Sequence, residues 1–570
     1  MNISLKPAFF IVACTLYLWL SNAFAQLGNN SSVIEQIDPS RIGENLILPT
    51  LEKNPLKPVV IQVPIKDNLP LDKKNKKIKF PLITMVLHGN TVFTENTLKK
   101  IYSNKINKQI SVAELKIIAN DITNFYRNSG YILTKVVIPA QEISAAGIVK
   151  LQIIEGYINE VVVEGSKNSN VTNMLKSYGR RIMGSRPLKL TVLERYTLFA
   201  NDIPGANVRA VLTASATTHG AAVLTFVAKE DRIGGSVGFN NYNSSLLGRQ
   251  QMFASFYANN AIAISQTGVS AALSRNVKQM KFISLQHKRQ LNSDGLGCDF
   301  NISTTKAKPD LSSLGLASID LPGQAFNFAV NTYYQMIRSR KQNLAIGGGF
   351  KFLNSNAIFN GDPLFKDLIR SINLKLEYDA KDNWLGINKL SISYSNGLNM
   401  LGAKADPPSR NGGKTKFSKA NFYFARYQRL IPRNVMLVLT VDSQYAFNKL
   451  LSAETFGYGG GPFGYGYNSS VITGDHGITG RTELQYQFDM QKSALYNMCF
   501  FTFFDRGTVW NINKTLQPTH QTASTAGTGL RFGTYANFNT EFIIAKPLNN
   551  KITHTTNGTV VMYFNLKSSM

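Results

Sequence analysis

From about Gly234 to the C-terminus the sequence shows no helical period, and this feature limits the fold more than any other. Segments of about ten residues alternate apolar and polar side chains between turns rich in glycine and asparagine. In INLKLEY (372–378), Ile372, Leu374, Leu376 and Tyr378 share one face and Asn373, Lys375 and Glu377 the other. TELQYQF (482–488) sets Leu484, Tyr486 and Phe488 against Glu483, Gln485 and Gln487. VVMYFNLK sets Val560, Met562, Phe564 and Leu566 against Asn565 and Lys567. A soluble sandwich alternates too, but about sixteen such segments lie in one block, and their polar faces carry charges without forming a second core. Apolar side chains outward and polar ones inward describe a transmembrane β-barrel, the closed sheet that satisfies every backbone group within lipid. About sixteen antiparallel strands, spread over 232–570, would leave a lumen wide enough for an aqueous pore.

Such a barrel must first be exported, and the start of the chain reads accordingly. Lys6 precedes an apolar run from Phe9 to Leu20, and Ala23-Phe24-Ala25 predicts cleavage between Ala25 and Gln26, making 1–25 a signal peptide. No other stretch nears the ~18–20 apolar residues of a spanning helix. Cys298 and Cys499 are too far apart in sequence for a metal pair and too few for a disulfide framework. The six histidines are scattered, with no HExxH or CxxC beside them, so no metal or cofactor is expected. A net charge of +28 would suit nucleic acid, but an exported chain rarely meets it, and these charges are spread over the whole length. Outer-membrane lipid and lipopolysaccharide, or an acidic secreted partner, fit better.

Residues 26–80 read as a proline-spaced tether ending in the basic run KDNLPLDKKNKKIKF (66–80). Ser32 and Glu35 form a capping-box pattern for a short helix that Pro39 would end or kink. Residues 81–156 and 157–231 then repeat one β-α-α-β-β scheme, an α+β tandem. In the first unit a strand (82–93) bends at Gly89-Asn90, and Thr94 opens a helix. Ser111 and Glu114 open a second helix (111–126), whose Leu115, Ile118, Ile122 and Phe125 form an apolar face, with Gly130 at its end. Strands ILTKVVIP and GIVKLQIIEG follow. The second unit runs through INEVVVEG (158–165), a helix near 171–178, a helix in 191–205, and strands ANVRAVLTAS and AAVLTFVAKE.

YRNSGYILTKVVIPAQEISAAGIVKLQIIEGYINEVVVEG (126–165), LERYTLFANDIPGANVRAVL (193–212) and FFDRGTVW (503–510) together carry a resemblance. The chain resembles the outer-membrane transporters of two-partner secretion, the haemolysin activator and filamentous haemagglutinin transporter family, related to the BamA insertase. Gly130, Pro139, Gln141, Glu155, Gly156 and Gly165 match the end of its first POTRA domain and the start of its second. Asn201, Pro204 and Gly205 match the second domain's last turn, and Asp505 and Gly507 a barrel-strand motif. The resemblance implies two periplasmic POTRA domains and a barrel in the outer membrane of a Gram-negative bacterium. It implies no enzyme, and a secreted, β-helical passenger that crosses the barrel unfolded. It also implies insertion by the barrel assembly machinery. An extended passenger could add as a strand to a POTRA edge beside a helix. Leu133, Lys135 and Val137 with Phe125 are the candidates in the first unit, Arg209 and Leu198 in the second. A BamA-like insertase usually carries more POTRA domains, and a plain channel has no use for any.

The glycine-rich stretch FGYGGGPFGYGYNSSVITGDHG (456–477) contains a G-x-G-x-x-G pattern, but barrel strands flank it and no helix follows. By the resemblance it belongs to a loop (450–478) between the eleventh and twelfth strands that folds into the pore. The family's loop motif Val-Arg-Gly-Phe/Tyr is replaced here by Gly464-Tyr465-Gly466-Tyr467, with Asp475 and Gly477 beyond it. In the family that arginine reaches the strand aspartate. Asp505 then needs another partner, either a hydrogen bond from Tyr465 or pairing with Arg481 on the next strand, because a buried lone carboxylate is costly. Two further departures concern the ends. Residues 26–80 do not resemble the family's polar plug helix, so no conventional plug is expected, and the chain runs on to Met570 instead of ending on an aromatic residue.

Overall fold

A computed structural model describes residues 38–45, 61–62 and 79–569, apart from 144–145, 313–314, 432–433, 462, 489, 491–494, 513–518, 535–536 and 550–558. The signal peptide with its Ala25–Gln26 site, and the Ser32–Glu35 pattern, lie outside these residues. Among the described residues helix α1 (Pro39–Asn45) comes first, and Pro39 starts it where the sequence suggested an end. Proline has no N–H to lose in a first turn, and the Asp38 carboxylate accepts from Ser40 N at 3.0 Å. A two-residue strand β1 (Ile61–Gln62) follows.

The first α+β unit contains β2 (Lys79–Leu82), β3 (Thr84–His88), α2 (Glu95–Tyr102), β4 (Lys108–Ser111), α3 (Val112–Asn128), β5 (Lys135–Val137) and β6 (Ile148–Ile154). The capping box is complete: Glu114 N donates to Ser111 Oγ, and Ser111 N to Glu114 Oε2. It starts α3 so that Leu115, Ile118, Ile122 and Tyr126 face the sheet residues Met85, Val149 and Leu151. The sheet runs β3-β6-β5, which leaves β5 an open edge. The second unit has β7 (Tyr157–Glu164), α4 (Ser169–Met183), α5 (Leu190–Asn201), β8 (Ala206–Ala214) and β9 (Ala221–Glu230). Its sheet order is β1-β8-β9-β7, so the tether strand β1 pairs in parallel with β8 at Ile61–Ala210 and Gln62–Val211.

Sixteen long antiparallel strands close the barrel. They are β10 (Ile233–Asn240), β11 (Gln251–Asn259), β12 (Ser265–Ser274), β13 (Met280–Gln290), β14 (Leu296–Ala307), β15 (Gly323–Arg338), β16 (Gln342–Phe359) and β17 (Asp362–Lys381). After β18 (Gly386–Gly397) and the short β19 (Lys404–Ala405) come β20 (Ser418–Arg429), β21 (Val435–Ala446), β24 (His476–Phe488), β25 (Leu495–Trp510), β26 (His520–Thr534), β27 (Phe538–Pro547) and β28 (Val561–Ser569). The residues between β21 and β24 hold a small hairpin, β22 (Phe456–Tyr458) and β23 (Ile472–Gly474). Five residue pairs join β28 to β10 and shut the ring.

The alternation resolves as the periodicity required. Ile372, Leu374, Leu484, Tyr486, Phe488, Met562 and Leu566 are all exposed on the outer wall, while Glu483 and Asp505 are buried on the lumen side. Cys298 and Cys499 are free and buried.

The second α+β unit is bonded to the nearer barrel rim. Arg338, at the end of β15, grips Asp202 with both arms at 2.7 and 2.8 Å. Arg195 donates to the carbonyls of Gln335 and Met336, and Asn260 Nδ2 to Pro204 O. Helix α1 lies inside the barrel against β14, β15 and β16. No conventional plug helix is expected from this segment, and a short helix from it nevertheless stands in the lumen.

Candidate functional site

Residues 447–475 join β21 to β24, the eleventh and twelfth long strands, and fold back into the lumen. The two feet of this loop are tied together. Asp475, fully buried, accepts from Leu450 N at 2.9 Å and Ile512 N at 3.0 Å. Arg410, from the connection between β18 and β20, donates to Asp475 Oδ1 at 2.7 Å and to Leu450 O at 2.9 Å. Its other arm donates to Asn511. One buried ion pair thus joins three connections at the rim opposite the α+β units.

Glu454 pairs with wall lysines, Lys419 of the adjoining β20 at 2.7 Å and Lys351 of β16 at 3.5 Å. The hairpin then lays its rings on glycines of the wall. A Cβ at Gly477 would stand 2.0 Å from the Phe456 ring, and one at Gly507 2.3 Å from the Tyr458 ring. Only hydrogen at these positions lets the rings lie flat on β24 and β25. Seated on Gly507, Tyr458 donates its hydroxyl to Asp505 Oδ1 at 2.5 Å. The other carboxylate oxygen takes Arg481 Nη2 at 2.6 Å and Nε at 3.2 Å. Arg481 and Asp505 are direct cross-strand partners on β24 and β25.

Asp505 is therefore held by Arg481 from the wall and by Tyr458 from the loop. Of the two partners the sequence suggested, the pairing with Arg481 is present, and Tyr465 makes no hydrogen bond to Asp505. Tyr465 packs its ring under the Arg481 guanidinium at 4.8 Å, within a buried cluster of Tyr242, Phe503 and Tyr563. Phe503 lies under the same guanidinium at 4.4 Å. The positive charge beside Asp505 comes from Arg481 on the neighbouring strand β24. Gly464 has φ +92° and Gly466 sits against Pro547, so neither position has room for a side chain. Tyr467 donates to Ser524 O and accepts from Asn549 N.

Sequence reasoning missed Tyr458, whose only signal is its two-residue spacing from Phe456. It also missed Arg41 of α1. Arg41 donates to the carbonyls of Ser452 and Thr455 and to Ser470 Oγ, so the luminal helix is tied to the same loop.

The candidates on the α+β units separate into two groups. Lys135 and Val137 are exposed on the open edge β5, and Arg209 is exposed on β8. Phe125 is half-buried with its ring against Phe93. Leu198 is buried in the core of the second unit. Leu133 packs on the same core, and a Cβ at Gly156 would touch it at 2.6 Å. Leu198 presents no surface to a partner, whereas Leu133 is half-buried where the first unit meets the second. β1 already occupies the edge of β8.

The sequence model of a POTRA domain, ShlB-type, matches residues 80–156. The model described as haemolysin secretion/activation protein ShlB/FhaC/HecB matches residues 221–532. The heme/hemopexin transporter protein HuxB of Haemophilus influenzae (strain 86-028NP) is 21% identical over 487 residues, 84% of this chain and 85% of its own length. The outer membrane transporter CdiB of Dickeya dadantii (strain 3937) is 22% identical over 462 residues, 79% of each chain. Among solved structures, CdiB from Escherichia coli has a TM-score of 0.69 at 17% identity, covering 95% of this chain and 99% of that one. BamA from Haemophilus ducreyi lacking POTRA domains 1–3 gives 0.51 at 14% identity, covering 86% and 100%. These structural likenesses speak for the fold, which transporter and insertase share; the family match separates the two. The chain belongs to the haemolysin secretion/activation family ShlB/FhaC/HecB, the outer-membrane transporters of two-partner secretion, with its barrel in the outer membrane and its POTRA domains in the periplasm.

Proposed function

We propose that the POTRA domains take up an unfolded, β-helix-forming exported protein by strand addition, and that it then crosses the barrel once the loop of 450–478 and α1 leave the lumen. The observation that carries this reading is β1 on the edge of β8: an extended segment already pairs there, held by backbone bonds that ask little of its sequence. The exposed Arg209 lies beside it, and the open β5 edge with Lys135 and Val137 offers a second site for strand addition on the first unit. In this reading the tether is a stand-in that the passenger displaces.

No covalent step is called for, and folding of the passenger outside supplies the driving force. The outer wall sits among phospholipid and lipopolysaccharide, and the barrel assembly machinery inserts the chain. Export to the periplasm is accompanied by cleavage between Ala25 and Gln26.

Replacing Ile61 and Gln62 with proline removes the donors of β1 and frees the edge. The affinity of full-length protein for the passenger's N-terminal domain is expected to rise about three- to tenfold, the effect of one or two net hydrogen bonds. Unchanged affinity would remove β8 from the recognition surface. Deletion of the gene tests the reading as a whole: a large β-helical protein is expected to vanish from the culture medium and return on complementation, and an unaltered set of secreted proteins would overturn it.

A further inference from the structure

A groove of about 1780 Å³ runs between the two POTRA domains and the periplasmic turn from β15 to β16. Nine basic side chains line it, against one carboxylate, Glu194. Some of these cations are spent on the fold: Arg181 pairs with Asp294, Arg338 with Asp202, Arg340 with Glu194, and Arg195 holds main-chain carbonyls. Arg180, Arg186, Lys189, Lys341 and Lys381 are exposed and have no carboxylate within ion-pair distance among the described residues. Five like charges gathered in one concave space repel one another unless an anion joins them.

The groove continues onto the lipid-facing wall. Tyr378 and Ala380 line it, and they lie on the same outward face of β17 as Leu374 and Leu376. Those leucines border an apolar hollow of about 620 Å³ with Tyr334, Ile346, Gly348 and Tyr394. The hollow exists because Gly348 contributes no side chain where the outer wall is otherwise bulky; a Cβ there would stand 3.3 Å from Leu374. From Leu374 to Ala380 is about 20 Å at the usual rise of a strand, the length of an acyl chain. Trp384 and Leu385, on the neighbouring turn, are 79% and 64% exposed, as interfacial anchors are.

We propose that this groove and hollow bind an anionic phospholipid of the periplasmic leaflet, its headgroup among Lys189, Lys341 and Lys381 and an acyl chain along Leu374, Leu376 and Ile346. The two halves suit one amphiphile. An acidic stretch of exported polypeptide would find charge in the groove, but the apolar continuation leads outward into the membrane, away from the lumen. A lipid held here would join the POTRA pair to the bilayer beside the pore entrance.

Native mass spectrometry of the delipidated full-length protein tests this, with phosphatidylglycerol and phosphatidylethanolamine titrated in parallel. Wild type is expected to retain phosphatidylglycerol at about tenfold lower concentration, in line with the attraction of anionic lipid for nearby lysines. The Lys189→Gln/Lys341→Gln/Lys381→Gln variant is expected to bind the two lipids alike. Ile346→Trp, which fills the hollow without touching a charge, is expected to weaken phosphatidylglycerol binding as well. Heat-modifiable gel mobility checks that each barrel is folded. Equal retention of the two lipids by wild type overturns the proposal. So does polyglutamate binding to these lysines with the same affinity in Ile346→Trp as in wild type, together with unaltered lipid binding by that variant, which assigns the groove to an acidic polypeptide.

Discussion

Asp505→Ala is expected to raise the open probability of the pore in planar bilayers by roughly ten- to hundredfold, the range set by losing a hydrogen bond to a charged group. Two costs must be separated. Arg481 and Asp505 both sit on the wall, but the loop's Tyr465 covers the Arg481 guanidinium, so a stranded Arg481 charge is costlier with the loop seated than with it withdrawn. Both that difference and the loss of the bond from the Tyr458 hydroxyl to Asp505 Oδ1 move the gate toward opening. Tyr458→Phe should therefore reproduce part of the conductance change while leaving the Arg481–Asp505 pair, and barrel stability, close to wild type. Channel recordings of both variants that match wild type would contradict a gating role for this bond.

Asp475→Ala is the second large effect, and it acts at the outer rim. The substitution removes the acceptor for Leu450 N and Ile512 N and takes the Asp475 carboxylate from Arg410, whose side chain is 7% exposed. Breaking a buried pair in this way costs about 3–5 kcal/mol. The expected result is cleavage within 447–475 by protease added to intact cells, where wild type resists. Arg410→Met in the same chain should restore part of the protection, because the stranded charge is removed with it. Digestion patterns identical to wild type would show that the feet of the loop are held by other contacts.

The barrel was legible because its signal is periodic. Leu484, Tyr486 and Phe488 alternate with Glu483, Gln485 and Gln487, and a period of two admits one assignment of faces once a membrane is invoked. The POTRA scheme was legible from local chemistry: Ser111 and Glu114 cap a helix wherever they stand three residues apart before an apolar run. The lock on Asp505 was half legible. Arg481 lies on the adjoining strand at a matching position, so register arithmetic could reach it. Tyr458 could not be found that way, because its role depends on a hairpin pairing Phe456 with Gly474 and on the space left by Gly507. Long-range placement also hid the rest. Nothing in the local sequence of Arg41 or Ile61 shows that the first meets a loop more than 400 residues away or that the second adds a strand to β8. Pro39 misled because proline ends a helix from its interior and starts one from its first turn.

The central claim is that the loop pinned on β25 must leave its seat before a passenger can cross. A Cβ built on Gly507 lies 2.9 Å from the Tyr458 Cβ, near enough for cysteines at these two positions to bridge with a small backbone adjustment. In a chain with Cys298 and Cys499 replaced by alanine, Tyr458→Cys/Gly507→Cys therefore holds the loop covalently to the wall when oxidised and releases it when reduced. Passenger secretion from cells carrying this variant, measured with and without a reductant, is expected to stop when the bridge forms and to resume when it is cut. Secretion that continues at the reduced level with the bridge fully formed would contradict the account.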